Sequence, residues 1–229
     1  MKPDPFLCEV DGVLLDGLKF CSIVYVLFEK VRQTEDGKSR LRMRASSLEK
    51  RLIEELLPIC KYIQLKYRVG RYISVQWTDG SQPFDAKFQQ RGAYVQQGSS
   101  LSIGYLEVTC IMHPNEHLSR ELLTKSGSAF GLNGLTRLKT GEITSEPVGY
   151  TNLEFVHEYA KLVLQQLTKK SKKPYPKDTI LIVQCWLNIQ PYTPQEWELL
   201  VSEVRSGLPA HQFWEIFMFD AALEYSCTL

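Results

Sequence analysis

The sequence predicts an α/β (α+β) protein, a mixed central sheet flanked by helices. Three observations carry that prediction. Apolar runs of strand length, bounded by turn residues, fall at 72–78, 84–89, 102–112, 179–186 and 213–220. Apolar residues recur at helical spacing at 48–57, 153–169 and 194–205. The two kinds of segment interleave as helix, three strands, two helices, strand, helix, strand, which is the order of a sheet covered by helices.

Each element has a local reason. Residues 1–45 read as a β-meander: Phe6 to Val10, an Asp11-Gly12 turn, a long run from Phe20 to Val31, then Glu35-Asp36-Gly37-Lys38 turning into Arg40 to Arg44. In that last stretch Leu41 and Met43 alternate with arginines, as in an edge strand with one basic face. Ser46 and Ser47 offer an N-cap to the helix from Leu48 to Leu57, which Pro58 should kink or end. Strands near Tyr72–Thr78 and Phe84–Gln89 flank an Asp79-Gly80 turn, and a polar Gly/Ser/Gln loop leads to a third strand, Ser102–Met112. Pro114 opens a helix through about Thr124. An irregular segment, 127–149, precedes a helix near Leu153–Lys169. A strand at Thr179–Trp186, a helix near Pro194–Arg205 and a last strand at Phe213–Asp220 follow.

Composition narrows the class. The chain has 229 residues, 44% of them apolar, with 27 Lys+Arg against 26 Asp+Glu. Such a chain can bury a core without disulfides or a structural metal. A net charge of +1 removes any whole-molecule argument for binding a polyanion, so attraction to one must come from a local patch. The six cysteines are scattered, mostly in apolar runs, and read as small buried hydrophobes of a reducing compartment. Asp4, Glu9 and Asp11 stand where a signal peptide would be basic and then apolar. The longest apolar run, Cys21 to Phe28, is too short to span a bilayer. A cytoplasmic protein with no membrane association is expected.

Chemistry concentrates in two segments, Gln82-Pro83-Phe84-Asp85-Ala86-Lys87-Phe88 and Gly104-Tyr105-Leu106-Glu107-Val108-Thr109-Cys110. Residues two apart on a strand share a face, so Asp85 goes with Lys87 and Glu107 with Thr109. If the two strands pair, all four can meet. Glu107 sits between Leu106 and Val108 in a strand that reads as buried on both faces. A lone carboxylate there is costly, so it needs a cation or a metal; an arginine such as Arg120 is the plain structural alternative. On the preceding helix, at 100° per residue, Glu55 falls on the leucine face while Glu54 points to solvent.

This arrangement resembles the PD-(D/E)XK nuclease superfamily. Pro83-Phe84-Asp85 stands where the family has the Asp of its second core strand, and Glu107-Val108-Thr109 where it has E-x-K. The resemblance covers about Ser46 to Trp186. It implies a restriction endonuclease-like domain, 46–229, with residues 1–45 as a β-rich extension packed on it. It also implies a phosphodiester hydrolase that acts on nucleic acid, DNA in preference to RNA, with Mg²⁺ (or Mn²⁺) held by Asp85, Glu107 and Glu55. Thr109 occupies the position of the family lysine and cannot carry charge. Lys87, on the face of Asp85, is a substitute, since functional lysines in the superfamily migrate to neighbouring positions. The competing expectation is a catalytically inactive member of the same fold that serves as a binding or structural component, alone, as a homodimer or with a protein partner.

Phosphate contacts are expected from Lys169, Lys170, Lys172 and Lys173, with Lys177 beside Tyr175, and from the row Arg40, Arg42 and Arg44. A lysine-rich helix end is also what the helix dipole favours on its own. Glu9-Val10-Asp11-Gly12-Val13-Leu14-Leu15-Asp16 resembles the opening motif of haloacid-dehalogenase-type phosphatases, but with Glu9 in place of the nucleophilic Asp, and a hairpin turn accounts for the same residues. Cys110, His113 and His117 have zinc-like spacing, yet Pro114 intervenes and no second ligand pair lies near.

Overall fold

The computed structural model describes residues 7–129, 131–187, 193–222 and 225–229. A seven-stranded mixed sheet runs in the order β1-β2-β3-β4-β7-β8-β9. Its strands are β1 (Leu15–Asp16), β2 (Tyr72–Trp77), β3 (Ala86–Arg91), β4 (Ile103–Cys110), β7 (Thr179–Cys185), β8 (Glu215–Asp220) and β9 (Ser226–Thr228). β1 to β4 form an antiparallel meander, β4, β7 and β8 are parallel, and β9 closes the far edge antiparallel. A separate hairpin joins β5 (Leu135–Arg137) to β6 (Ile143–Ser145).

The strictly alternating burial of β2 and β3 reflects a half-covered meander, whereas β7 is buried at every position, as expected of a parallel strand covered on both faces. One face of the sheet packs Val75, Phe88, Leu106, Ile180 and Phe217 against α1 (Gly17–Arg32) and α4 (Leu57–Lys66). The opposite face of the β7–β8 half packs Leu181, Val183 and Met218 against α7 (Asn152–Ser171) and α8 (Pro194–Ser206). Both α7 and α8 begin with a capping box, Thr151 with Glu154 and Thr193 with Glu196.

The N-terminal β-meander is corrected by the structure. Gly17–Arg32 is a helix, and Gly37–Met43 forms a second, α2. The buried positions Phe20, Val24, Leu27 and Val31 repeat at helical, not strand, spacing, and Asp16 accepts the Leu18 N–H to start the helix. The β-branched residues of α1 imitate a strand, but packing of one face on α4 decides. Residues 7–10 form a turn, and Phe6 lies outside the described residues. The alternating arginines are helical too, with Leu41 inward and Arg44 ending the helix at a left-handed φ of 53°. Residues 7–45 share one core with the sheet. Other expected elements fall within a few residues of their positions, while β1, the helix beyond Pro58 (α4), α5 (Ala93–Gln96), the β5–β6 hairpin and β9 are additional. Among the described residues no helix is long and apolar enough to cross a membrane.

One irregularity matters for the site. α3 (Ser47–Arg51), begun by a capping box of Ser46 with Glu49, runs into a π-helical turn, Leu52–Leu56, before α4. Pro58 has no N–H for the Glu54 carbonyl one α-turn back, so the helix widens there instead of breaking. The Cys110 thiol lies 3.7 Å from the Glu54 carbonyl oxygen.

Candidate active site

β3 and β4 pair with Ala86 opposite Leu106 and Lys87 opposite Tyr105. The Asp85 N–H donates to the Leu106 carbonyl at 2.9 Å. The paired register ends at Ala86, so Asp85 stands in the bend just before β3, its carboxylate on the Val108 N–H beside Glu107 of β4. Both line a pocket of about 260 Å³ with Glu54, Glu55, Thr109, Gln166 and Lys170. The π-helical turn explains why Glu54, expected to face solvent, joins Glu55 in this wall: a widened turn swings consecutive residues toward the same side.

The opposite wall comes from α7. Val156, Ala160, Val163 and Leu167 point into the core, which turns Gln166 and Lys170 onto one flank of the helix. Four residues of helix rise about 6.0 Å and two residues of strand about 6.6 Å, so this pair can meet Thr109 and Glu107 in step. Gln166 Nε2 donates to Thr109 Oγ1 at 2.8 Å, and Lys170 Nζ donates to Glu107 Oε1 at 2.5 Å. The side chains of Lys170 and Glu107 are each only 12% exposed. Tyr175 Oη also donates to Glu107 Oε1, at 3.2 Å.

The remaining carboxylates differ in their compensation. Glu54 pairs with Arg44 at 2.6 Å. Glu55 pairs with Arg51 at 2.5 Å and accepts the Trp77 indole N–H at 3.1 Å; burial nevertheless pushes its pKa up. Asp85 accepts the Val108 N–H at 2.7 Å and, among the described residues, has no salt-bridge partner. Burial, with the charges of Glu107 and Glu55 nearby, raises its pKa to about 8. Ionising Asp85 would thus add a negative charge that the pocket's own cations do not balance. Its donors are carboxylate oxygens, which suit a hard divalent cation. Among the described residues, no three His, Cys, Asp or Glu side chains are gathered around one point as a ready-made ligand set.

Of the other expected site residues, Lys87 shares the sheet face of Glu107 but is exposed outside the pocket lining, with Nζ 5.8 Å from the Phe84 ring centroid. Lys169, Lys172 and Lys173 are exposed at the end of α7, while Lys170 is turned inward onto Glu107. The arginine row is engaged within the fold: Arg40 with Glu49, Arg42 with the Leu123 carbonyl, Arg44 with Glu54. Cys110 lies 3.0 Å from Gln184 Oε1, and His113 bonds Asn133. Gln166, Glu54 and Tyr175 were not expected in the site. The four-residue spacing of Gln166 and Lys170 against the two-residue spacing of Glu107 and Thr109 is the signal that could have found the helix pair.

No family model, curated protein or solved structure matches this chain.

Proposed function

We propose that the chain is a divalent-metal-dependent phosphodiester hydrolase acting on nucleic acid, DNA in preference to RNA, on a restriction endonuclease-like scaffold. The observation that carries this reading is the meeting of Asp85, Glu107 and Lys170 in one pocket, with the lysine supplied by α7 where the strand has Thr109. A PD-(D/E)XK-like set of two carboxylates and a lysine is thereby restored from a different element.

Asp85 and Glu107 would hold Mg²⁺ or Mn²⁺, with Glu55 behind them; Mg²⁺ commonly takes one or two carboxylates and keeps several waters, which fits a pair better than a closed cage. A bound divalent ion supplies a more acidic water and offsets charge on the phosphate. Lys170 brings its ammonium to the same point, where it steadies negative charge on a phosphate presented to the carboxylates. Gln166 fixes the Thr109 hydroxyl and so the rotamer of the strand residue beside Glu107. Lys169, Lys172 and Lys173 stand on the exposed end of the same helix, placed to meet flanking phosphates.

Cleavage of plasmid and of labelled single- and double-stranded oligonucleotides with Mg²⁺ or Mn²⁺ tests this. Activity should fall at least about 100-fold in Asp85→Asn, Glu107→Gln and Lys170→Met. Activity retained in all three would reject the reading. A second reading, a non-catalytic binding protein, is favoured by one observation: Glu107 is already satisfied by Lys170 and Tyr175. It predicts nucleic-acid binding with no turnover and no stabilisation by metal.

A further inference from the structure

At the C-terminal end of α7, two segments far apart in sequence run side by side. Gln212 Nε2 donates to the Lys173 carbonyl and the Trp214 N–H donates to the Thr179 carbonyl, both at 2.8 Å. The buried Phe213 sets its ring 5.2 Å from that of Tyr175, whose hydroxyl is bonded to Glu107. Pro174 and Pro176 fix the backbone on either side of Tyr175. Residues 172–179 and 211–214 thus form one ledge, anchored to the wall of the acidic pocket. Trp214 is 55% exposed on it, and among the described residues its ring meets no other ring and its indole N–H has no acceptor. The stretch 169–178 holds five lysines against one acid, Asp178. Lys170 is turned onto Glu107, whereas Lys169, Lys172, Lys173 and Lys177 are exposed and have no carboxylate partner among the described residues. Glu215, the acid beside Trp214, is held by Lys66.

We propose that this ledge binds a single-stranded nucleic acid, with Trp214 stacking on an unpaired base and Lys172, Lys173 and Lys177 meeting the phosphates beside it. Charge selects the class of partner: exposed cations that no carboxylate balances, set around one bare ring, fit a polyanion that also carries flat rings. An anionic bilayer fits less well, because a surface that inserts into lipid presents several apolar side chains together. Here the exposed residues of the two segments other than Trp214 and Pro174 are Lys172, Lys173, Lys177, His211 and Gln212, all polar. A duplex covers the faces of its bases by stacking, so only an unpaired base can lie against the ring. The inference deepens the phosphodiesterase reading and rests on it for direction. Tyr175 joins the ledge to Glu107, so a strand held on Trp214 leads toward Asp85 and Glu107, and the substrate class becomes single-stranded DNA or a duplex with an unpaired stretch beside the cut.

Fluorescence anisotropy of a labelled deoxythymidine strand of about 20 nucleotides, and of an abasic strand of the same length and charge, tests this in EDTA without turnover. Trp214→Ala should weaken binding of the deoxythymidine strand about tenfold and leave the abasic strand unchanged, and Trp214→Phe should restore most of the loss. Exchanging Lys172 and Lys173 for Gln should weaken both strands alike. Trp214 lies on the surface, so an unchanged Tm is expected for its variants and is measured alongside. Wild type that binds neither strand overturns the proposal, as does a Trp214→Ala variant that loses both strands equally or neither. Binding to mixed phosphatidylcholine and phosphatidylserine vesicles that Trp214→Ala abolishes, with strand binding untouched, overturns it in favour of a membrane surface. Cleavage is scored separately: Trp214-dependent strand binding with no cleavage under any metal keeps the ledge and removes the phosphodiesterase reading, while metal-dependent cleavage of single strands that Trp214→Ala leaves unaltered in KM removes the ledge and keeps that reading.

Discussion

Replacing Asp85 by Asn should change how the stability of the metal-free protein depends on pH. The Asp85 carboxyl titrates near 8 in the folded chain, because of burial and the neighbouring Glu107 and Glu55 charges, against an ordinary value of 3.8. A folded pKa above the unfolded one means that folding retains a proton the unfolded chain has lost. The contribution is complete below about pH 4 and disappears as pH rises through about 8. The full difference corresponds to about 5 to 6 kcal/mol, an upper bound because solvent reaches the open pocket. Urea unfolding in EDTA at half-unit steps from pH 5 to 9 measures it. The stability of wild type minus that of Asp85→Asn should fall by about 1.4 kcal/mol per pH unit at its steepest and level off above pH 8. The amide can still accept the Val108 N–H, so the cap itself is preserved. Parallel pH profiles for the two proteins would refute the claim that Asp85 carries the uncompensated charge of the pocket.

The Lys170–Glu107 pair should behave as a coupled unit: Lys170→Met and Glu107→Gln should each cost about 3 kcal/mol, lowering Tm by about 6 to 12 °C, while the double variant costs at least about 2 kcal/mol less than their sum; additive losses in thermal unfolding would contradict this. Lys87→Ala should leave the cleavage rate within about threefold of wild type, whereas Lys170→Met should lower it about 100-fold or more; the reverse order would return the role to the strand lysine. Exchanging Lys169, Lys172 and Lys173 for Gln should reduce the slope of log affinity against log salt by about 2 to 3 for duplex DNA, and an unchanged slope would move the phosphate contacts elsewhere.

The core from Ser46 to Trp186 was legible because its signals are local. Ser46, one of the two expected N-caps, starts the helix, and the strands at 72–77 and 103–110 carry the expected apolar patterns. That the segments of Asp85 and Glu107 pair was legible, but the period of two did not place Asp85, which stands in a bend before β3. What failed did so for tertiary reasons. The stretch 20–31 has strand-like composition, and only packing against α4 selects the helix. Lys170 looked like one of several solvated lysines because its partner lies 63 residues away on β4. The displacement of Glu54 depends on a π-helical turn, which a wheel drawn at 100° per residue cannot represent.

The central claim is that Asp85 and Glu107 jointly bind one hard divalent ion. Anomalous diffraction from crystals soaked in Mn²⁺ above pH 8 addresses it directly. The account predicts a peak within about 2.1 Å of an oxygen of each carboxylate, absent in Asp85→Asn crystals treated identically. A pocket without a peak, Glu107 still bound to Lys170 and Asp85 still turned to Val108, would contradict it.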